Sequence, residues 1–187
     1  MQIKILSNPI KYDGSQINPL WAYDFGIKGD SIVVFRGSMD IPKEYIKDLE
    51  DKKNKKEIKG KDLIHFIVER FDSPASIRLA YYMQRLLIIC LKEVLETYSI
   101  KTSREGDDLY IDKKKLTVSI ATAGISCEKI HCGINLTSEG TPEDVETIGL
   151  FELGFNNDWK KISAEIAELF IKEMEDIEED IFKTKCL

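Results

Sequence analysis

Apolar and polar positions alternate at the start of the chain, where "MQIKIL" reads as a short strand ahead of the turn-rich "SNPIKYDGSQINP". Ser31 to Arg36 is an almost unbroken apolar run and predicts a buried strand that empties into a Gly-containing loop at "FRGSM". "LIHFIVERF" predicts another strand. "DSPASIRLAYYMQRLLIICLKEVLETY" predicts a long helix with Asp72 or Ser73 as its cap and Pro74 in its first turn. Around Leu86 to Leu91 its apolar residues occupy more than one stripe, so burial on two sides is expected. A strand pair follows in "DDLYIDKKKLTVSIATAGISCEKIHCGINL", then an irregular, acidic "TSEGTPEDVET" and an apolar "IGLFELG" that is expected as a last strand. Asp158 stands where it would cap a final amphipathic helix, in which Trp159, Ile162, Ile166, Ile177 and Ile181 recur at helical spacing.

Strands that follow one another without helices between them imply antiparallel pairing, and only two long helices are available to cover a sheet. The expected class is α+β, a mostly antiparallel sheet with two long helices on one face and the other face open to loops and ligand. With 187 residues the chain is long enough for one core, so residues 1–187 are expected to form a single domain. Residues 43–61, "KEYIKDLEDKKNKKEIKGK", form a charge-dense excursion expected to be a solvated surface loop, mobile at its centre, that closes as a lid over ligand.

Charge narrows the partners. The formal net charge is -6 with a pI near 5.1, and both signs are interspersed, so a general attraction to a phosphate polymer is absent and nucleic acid is not expected as a partner. The amino terminus does not resemble a signal peptide, and the chain lacks the apolar run of about 18 residues that a membrane span needs, so no membrane association is expected. Four cysteines, Cys90, Cys127, Cys132 and Cys186, fit a reducing cytoplasm. Exposed strand edges make a homodimer an expectation as well.

The strand pair carries the candidate chemistry. By alternation, Leu116, Val118 and Ile120 are expected on the core side with Ile130, Cys132, Ile134 and Leu136. Lys115, Thr117, Ser119 and Ala121 are expected on the other side with Lys129, His131, Gly133 and Asn135. A face of small residues punctuated by Lys, His and Asn leaves room for a ligand, although an ordinary solvent face reads the same way. His65 and Glu69 share a parity and form either a charged pair beside the same cleft or a core contact. Cys127 and His131, on one strand, would lie about 13 Å apart with Cys132 facing the other way, so no shared zinc site is expected.

"DDLYIDKKKL", followed some dozen residues later by "IHCGINL", resembles the catalytic signature of biotin and lipoate protein ligases. In those enzymes an Asn-Asp or Asp-like pair begins a strand, a hairpin follows, a lysine just after it meets the acyl-adenylate, and a Gly-Ile-Asn strand runs alongside. Asp107, Asp108, Leu109 and Tyr110 match the first element, Lys115 falls on the lysine, and Gly133, Ile134 and Asn135 match the last. The whole chain is most similar to an archaeal family catalogued as a domain of unknown function, itself similar to that superfamily. Two departures stand out. The Gly-Arg-rich phosphate loop of the ligases has only "FRGSM" as a counterpart, with Arg36 and Gly37, and the Ala-Gly or Ser-Gly after the lysine is Thr117-Val118. Octanoyl transferases of the same superfamily share the order of strands, but their acyl-accepting cysteine falls where this chain reads "IGLFELG".

The resemblance implies a cleft for a small carboxylic acid, with ATP and Mg as cofactors and a carrier-protein lysine or a small amine as acceptor. Lys115, opposite Arg36, would neutralise charge that develops when a carboxylate meets a phosphate. Lys113 and Lys114 are neighbouring candidates. Asp108, or Asp107, would orient Lys115 or hold the metal with the phosphates, and His131 and Asn135 would bond the polar end of the substrate. The alternatives are a non-catalytic small-molecule-binding or regulatory protein, or an ATP-independent acyltransferase, on the same fold.

Overall fold

The computed structural model describes residues 1–156 and 158–185. Along the chain lie β1 (Gln2–Ile5), β2 (Ser31–Asp40), α1 (Leu49–Lys53), β3 (Lys59–Arg70), α2 (Ile77–Thr97), β4 (Ser103–Glu105), β5 (Asp108–Ile111), β6 (Lys114–Lys115), β7 (Thr117–Ala123), β8 (Glu128–Asn135) and α3 (Trp159–Lys183). The main sheet has the order β1-β2-β3-β8-β7, and β4-β5-β6 form a small second sheet. Among the described strands β1 and β2 pair in parallel and the other ladders are antiparallel. The class is α+β, as the element pattern implies.

β3 explains why the sheet is covered on both sides. Its run of β-branched and aromatic residues sends Ile64, Phe66 and Val68 to one face, against the core of α2 and α3, and Leu63, His65 and Ile67 to the other. On that second face Tyr12, Ile17 and Phe35 pack against Leu63 and Ile67. A strand apolar on both faces is stable only between two layers, and here residues of the amino-terminal loop supply the second one. α2 buries Met83, Leu87, Ile88 and Leu91 and packs against both the sheet and α3, which accounts for its second apolar stripe. α3 is capped by Asp158, whose carboxylate accepts from Lys160 N at 2.9 Å.

Four local expectations change. β2 does not stop at Arg36; it runs through "FRGSM" to Asp40, because partners outside the local sequence satisfy its backbone. Ile10 N donates to Arg36 O and Tyr12 N to Ser38 O, while β3 pairs along the other edge. α2 begins at Ile77 with Ser76 as its cap, accepting from Leu79 N, rather than at Asp72 or Ser73. The 43–61 segment contains α1, capped by Asp48, buries Ile46, and passes into β3 from Lys59. "IGLFELG" is a short 3-10 turn, Phe151–Leu153, instead of a strand. Glu152 fixes it by accepting from Gly149 N and Ser138 N at 2.8 Å each.

Candidate ligand cleft

Register decides which side chains meet. In the ladder of β7 and β8, Val118 stands opposite Gly133 and Ile120 opposite His131, while Thr117, Ser119 and Ala121 stand opposite Ile134, Cys132 and Ile130. Residues directly opposite share a face. Val118 and Ile120 therefore lie with His131, and Thr117 and Ser119 face the helices, the reverse of the expected assignment for β7. A strand's parity relative to its partner depends on the pairing, and a one-residue offset exchanges its faces. Thr117 Oγ1 accepts from Leu109 N at 2.9 Å. Ser119 Oγ accepts from Gln84 Nε2 and donates to Asp107 Oδ2, each at 2.7 Å, so both hydroxyls are committed to structure. Gly133 does not open onto ligand space either: a Cβ there would meet Val118 Cγ1 at 3.0 Å and Leu63 Cδ2 at 3.2 Å.

On the face away from the helices lies a cleft of about 210 Å³. Val118, Ile120 and Met39 give it an apolar floor, Ile41, Ile46 and Ile58 of the 41–58 region roof it, and Lys115, Asn135 and the 141–147 loop border one end. Tyr12 and His131 line it as well. The 43–61 excursion lines the cleft with Ile46 and Ile58 and also with charged residues, among them Asp48, Asp51 and Lys56.

Lys115 is held firmly at this border. Its backbone N–H donates to Glu146 O at 2.8 Å and its carbonyl accepts from Ile148 N at 3.0 Å. Asn135 Nδ2 donates to Lys115 O and to Ile148 O, so Asn135 clamps the lysine strand to the 146–148 segment. Lys115 Nζ sits 2.7 Å from Asp108 Oδ2, both side chains being about a quarter exposed or less. Burial pushes the Asp108 carboxyl above the ordinary carboxylate value, and Lys115 pulls it back. Asp107 turns the other way, toward α2, where it pairs with Arg85 at 2.6 Å and accepts from Gln84 and Ser119. Burial raises its carboxyl, but these hydrogen bonds and Arg85 outweigh it and the net shift is downward. Nothing in the sequence singles out Arg85 or Gln84; helical spacing alone does not reveal a carboxylate that returns from a distant hairpin.

Arg36 is not in the cleft. It stands opposite Ile64 on the helix-side face of β2, its Nε and Nη2 bonded to Asp62 at 2.8 and 2.5 Å and its guanidinium 5.5 Å from the ring of Phe151. Alternation along β2 fixes this direction, since Phe35 stands opposite His65 on the cleft face and Arg36 therefore points to the other face. Gly37 lies within β2 and not on a loop: its Cα faces the backbone of Ile10, where a Cβ would fall 1.9 Å from the carbonyl oxygen. Arg36→Ala is accordingly expected to lower stability by about 1 kcal/mol while leaving ligand affinity unchanged. Urea unfolding beside a binding titration checks this, and a large loss of affinity without loss of stability would return Arg36 to the site.

The cleft face also carries the chain's two histidines. His65 Nδ1 lies 3.0 Å from His131 Nε2, and His65 Nε2 lies 3.2 Å from Gly37 O, both rings fully buried. Beyond them Glu69 and Lys129 form a buried pair at 3.4 Å, with Glu69 Oε1 accepting from Leu20 N at 2.6 Å. His65 and Glu69 thus share a face, as expected, but each finds a different partner. Burial lowers the His65 pKa to about 3 and holds His131 well below its usual value. An unfolded histidine binds its proton near pH 6.5, so the fold's stability is complete above that value and falls as pH drops toward the folded pKa. Between roughly pH 6.5 and pH 5, urea unfolding is expected to show a loss approaching ~1.4 kcal/mol per pH unit for each histidine. A flat profile there would mean that the rings are not buried neutral.

Cys90, Cys127 and Cys132 are buried free thiols, burial pushing Cys127 up to about 11 and Cys90 up to about 12. Cys132 faces the helix side and His131 the cleft. Cys186 lies outside the described residues. No described helix is long and apolar enough to cross a membrane.

The mixed five-stranded sheet with its helices on one face has the fold of the biotin and lipoate protein ligases. The biotin protein ligase from Aquifex aeolicus, in complex with biotin and ATP, aligns with a TM-score of 0.63 at 16% identity, over 95% of this chain and 72% of that one. Protein Ta0514, a putative lipoate protein ligase from T. acidophilum, aligns with a TM-score of 0.56 at 14% identity, over 94% of this chain and 86% of that one. At these identities the likeness is one of fold. The chain itself belongs to the family described as Domain of unknown function (DUF366), which matches residues 1–185. It is 47% identical to the uncharacterized protein MJ0805 of Methanocaldococcus jannaschii over 98% of this chain and 84% of that protein. A protein of unknown function from Pyrococcus horikoshi has a structure that aligns with a TM-score of 0.94 at 42% identity, over 100% of this chain and 98% of that one.

Proposed function

We propose that this protein holds a small carboxylic acid in the cleft, its carboxylate at Lys115 and its body along Val118 and Ile120, and activates it for acyl transfer. The observation that carries this reading is the ion pair of Lys115 with Asp108, at 2.7 Å, beside a cleft with an apolar floor. A lysine fixed by backbone bonds on both sides is a preorganised cation, and a carboxylate that gains or loses charge next to it is stabilised without reorganisation. Asp108 orients the ammonium. The acceptor would be a carrier-protein lysine or a small amine, and residues 43–61 would close over the bound acid.

ATP would supply an adenylate leaving group for such an activation, and the Aquifex aeolicus neighbour carries biotin and ATP on this fold. The phosphate side of the site fits it poorly, because Arg36 is engaged by Asp62 on the opposite face and Gly37 is packed against Ile10. The same observation favours a second reading, a small-molecule-binding protein that keeps the fold without the chemistry.

Exchange between ATP and pyrophosphate separates the two, measured with magnesium over biotin, lipoate, octanoate and a panel of other carboxylic acids. Exchange that depends on one acid establishes activation. Thermal stabilisation by an acid without exchange establishes binding alone. Silence in both assays would sink the acid-binding reading itself.

A further inference from the structure

At one end of the cleft the Tyr12 ring stacks on His131, centroids 3.7 Å apart and planes inclined by 12°. Tyr12 is fully buried and lines the cleft, yet its hydroxyl has no hydrogen-bond partner among the described residues. A buried hydroxyl without a partner is unfavourable and calls for something to bond it.

His131 supplies a second unused atom. Gly37 O can only accept, so His65 Nε2 carries the hydrogen of that contact. Neutral His65 then accepts at Nδ1, and the hydrogen between the rings belongs to His131 Nε2. Neutral His131 is left with Nδ1 as a pure acceptor, on the side of the ring away from the contact that Nε2 makes with His65. The Tyr12–His131–His65–Gly37 arrangement thus offers incoming ligand one hydroxyl and one acceptor nitrogen, with no charge on either.

We propose that Tyr12 and His131 form a recognition subsite for a neutral hydrogen-bonding group, one that gives a hydrogen to His131 Nδ1 and accepts one from the Tyr12 hydroxyl. A primary amide on an apolar stem meets both requirements. A methyl terminus leaves both atoms unbonded, and a carboxylate presents His131 with a second acceptor in a site that burial keeps free of charge. The subsite deepens the acid-binding reading and rests on it for the far end of the ligand: His131 and Asn135 are four residues apart on β8, roughly 13 Å, so a short chain joins this subsite to Lys115.

The test uses probes of matched length, adipate monoamide, hexanoate and adipate, with pentanamide as an amide that lacks the acid. Binding is followed by ligand-observed NMR titration to wild-type protein and to Tyr12→Phe, which removes only the hydroxyl. The monoamide is expected to bind at least about tenfold more tightly than hexanoate or adipate, and Tyr12→Phe to remove most of that advantage while leaving hexanoate unchanged. Pentanamide that binds in a Tyr12-dependent way, without any gain from the added carboxylate, would keep the subsite and overturn the acid reading. Equal binding of the three acids, indifference of the monoamide to Tyr12→Phe, or no binding by either amide would overturn the subsite.

Discussion

Lys115→Ala should reduce the proposed acyl activation by about a hundredfold or more, the usual consequence of removing a preorganised group that meets developing charge. The same substitution acts on the fold. It leaves Asp108 in a partly buried position without its partner at 2.7 Å, which lies between the ~1 kcal/mol of an exposed pair and the ~3–5 kcal/mol of a broken buried one. About 1–3 kcal/mol of lost stability is therefore expected at neutral pH. The sign of its pH dependence follows from Asp108, whose folded pKa burial already raises above the ordinary carboxylate value. A raised acid pKa weakens the fold as pH climbs through that range, and without Lys115 the rise is larger, so the variant should recover stability in acid relative to wild type. Lys115→Arg, which keeps the charge, should keep most of the stability and less of the activity, because the planar fork does not reproduce a point ammonium. Full activity in Lys115→Ala, with only the stability changed, would make this residue a structural lysine.

Gly37→Ala should damage the fold severely, with a loss of roughly 4 kcal/mol or more and a fall in Tm on the order of 10 °C. The added Cβ would lie 1.9 Å from Ile10 O and 2.7 Å from Ile10 C, backbone atoms that no rotamer change can move away. Relief requires the segment that donates Ile10 N to Arg36 O and Tyr12 N to Ser38 O to leave the edge of β2. Tyr12 would move with it, taking its ring from His131 and opening the end of the cleft. Heat and urea unfolding report the first effect, and loss of the near-ultraviolet signature of the packed tyrosine reports the second. A variant as stable as wild type would show that residues 10–12 are not packed on β2.

Elements with their own period are legible in the sequence. α2 and α3 announce themselves by apolar spacing, β3 by its β-branched run, and Lys115 and Asp108 meet within one local hairpin, so their relation needs no distant information. What depends on distant partners is not legible. "FRGSM" has the residues of a loop and becomes strand because Ile10 and Tyr12, from a segment without periodicity, satisfy its outer edge. Arg36 leaves the site because alternation along β2 places it opposite Ile64 on the helix side. Thr117 and Ser119 fall on the helix side because β7 pairs with β8 in a register that no alternation pattern within either strand specifies. Tyr12 escapes notice for the same reason as "FRGSM": its turn-rich surroundings carry no signal that its ring will stack on His131.

The most direct measurement is calorimetric titration of the carboxylic acid panel into wild-type protein and into Lys115→Ala, at a pH where both are folded. Carboxylate held at Lys115 predicts that an acid of the panel binds the wild-type protein, that its uncharged methyl ester binds at least about tenfold more weakly, and that the variant no longer distinguishes the two. An acid and its ester bound equally by wild type, or an acid bound undiminished by Lys115→Ala, would contradict it.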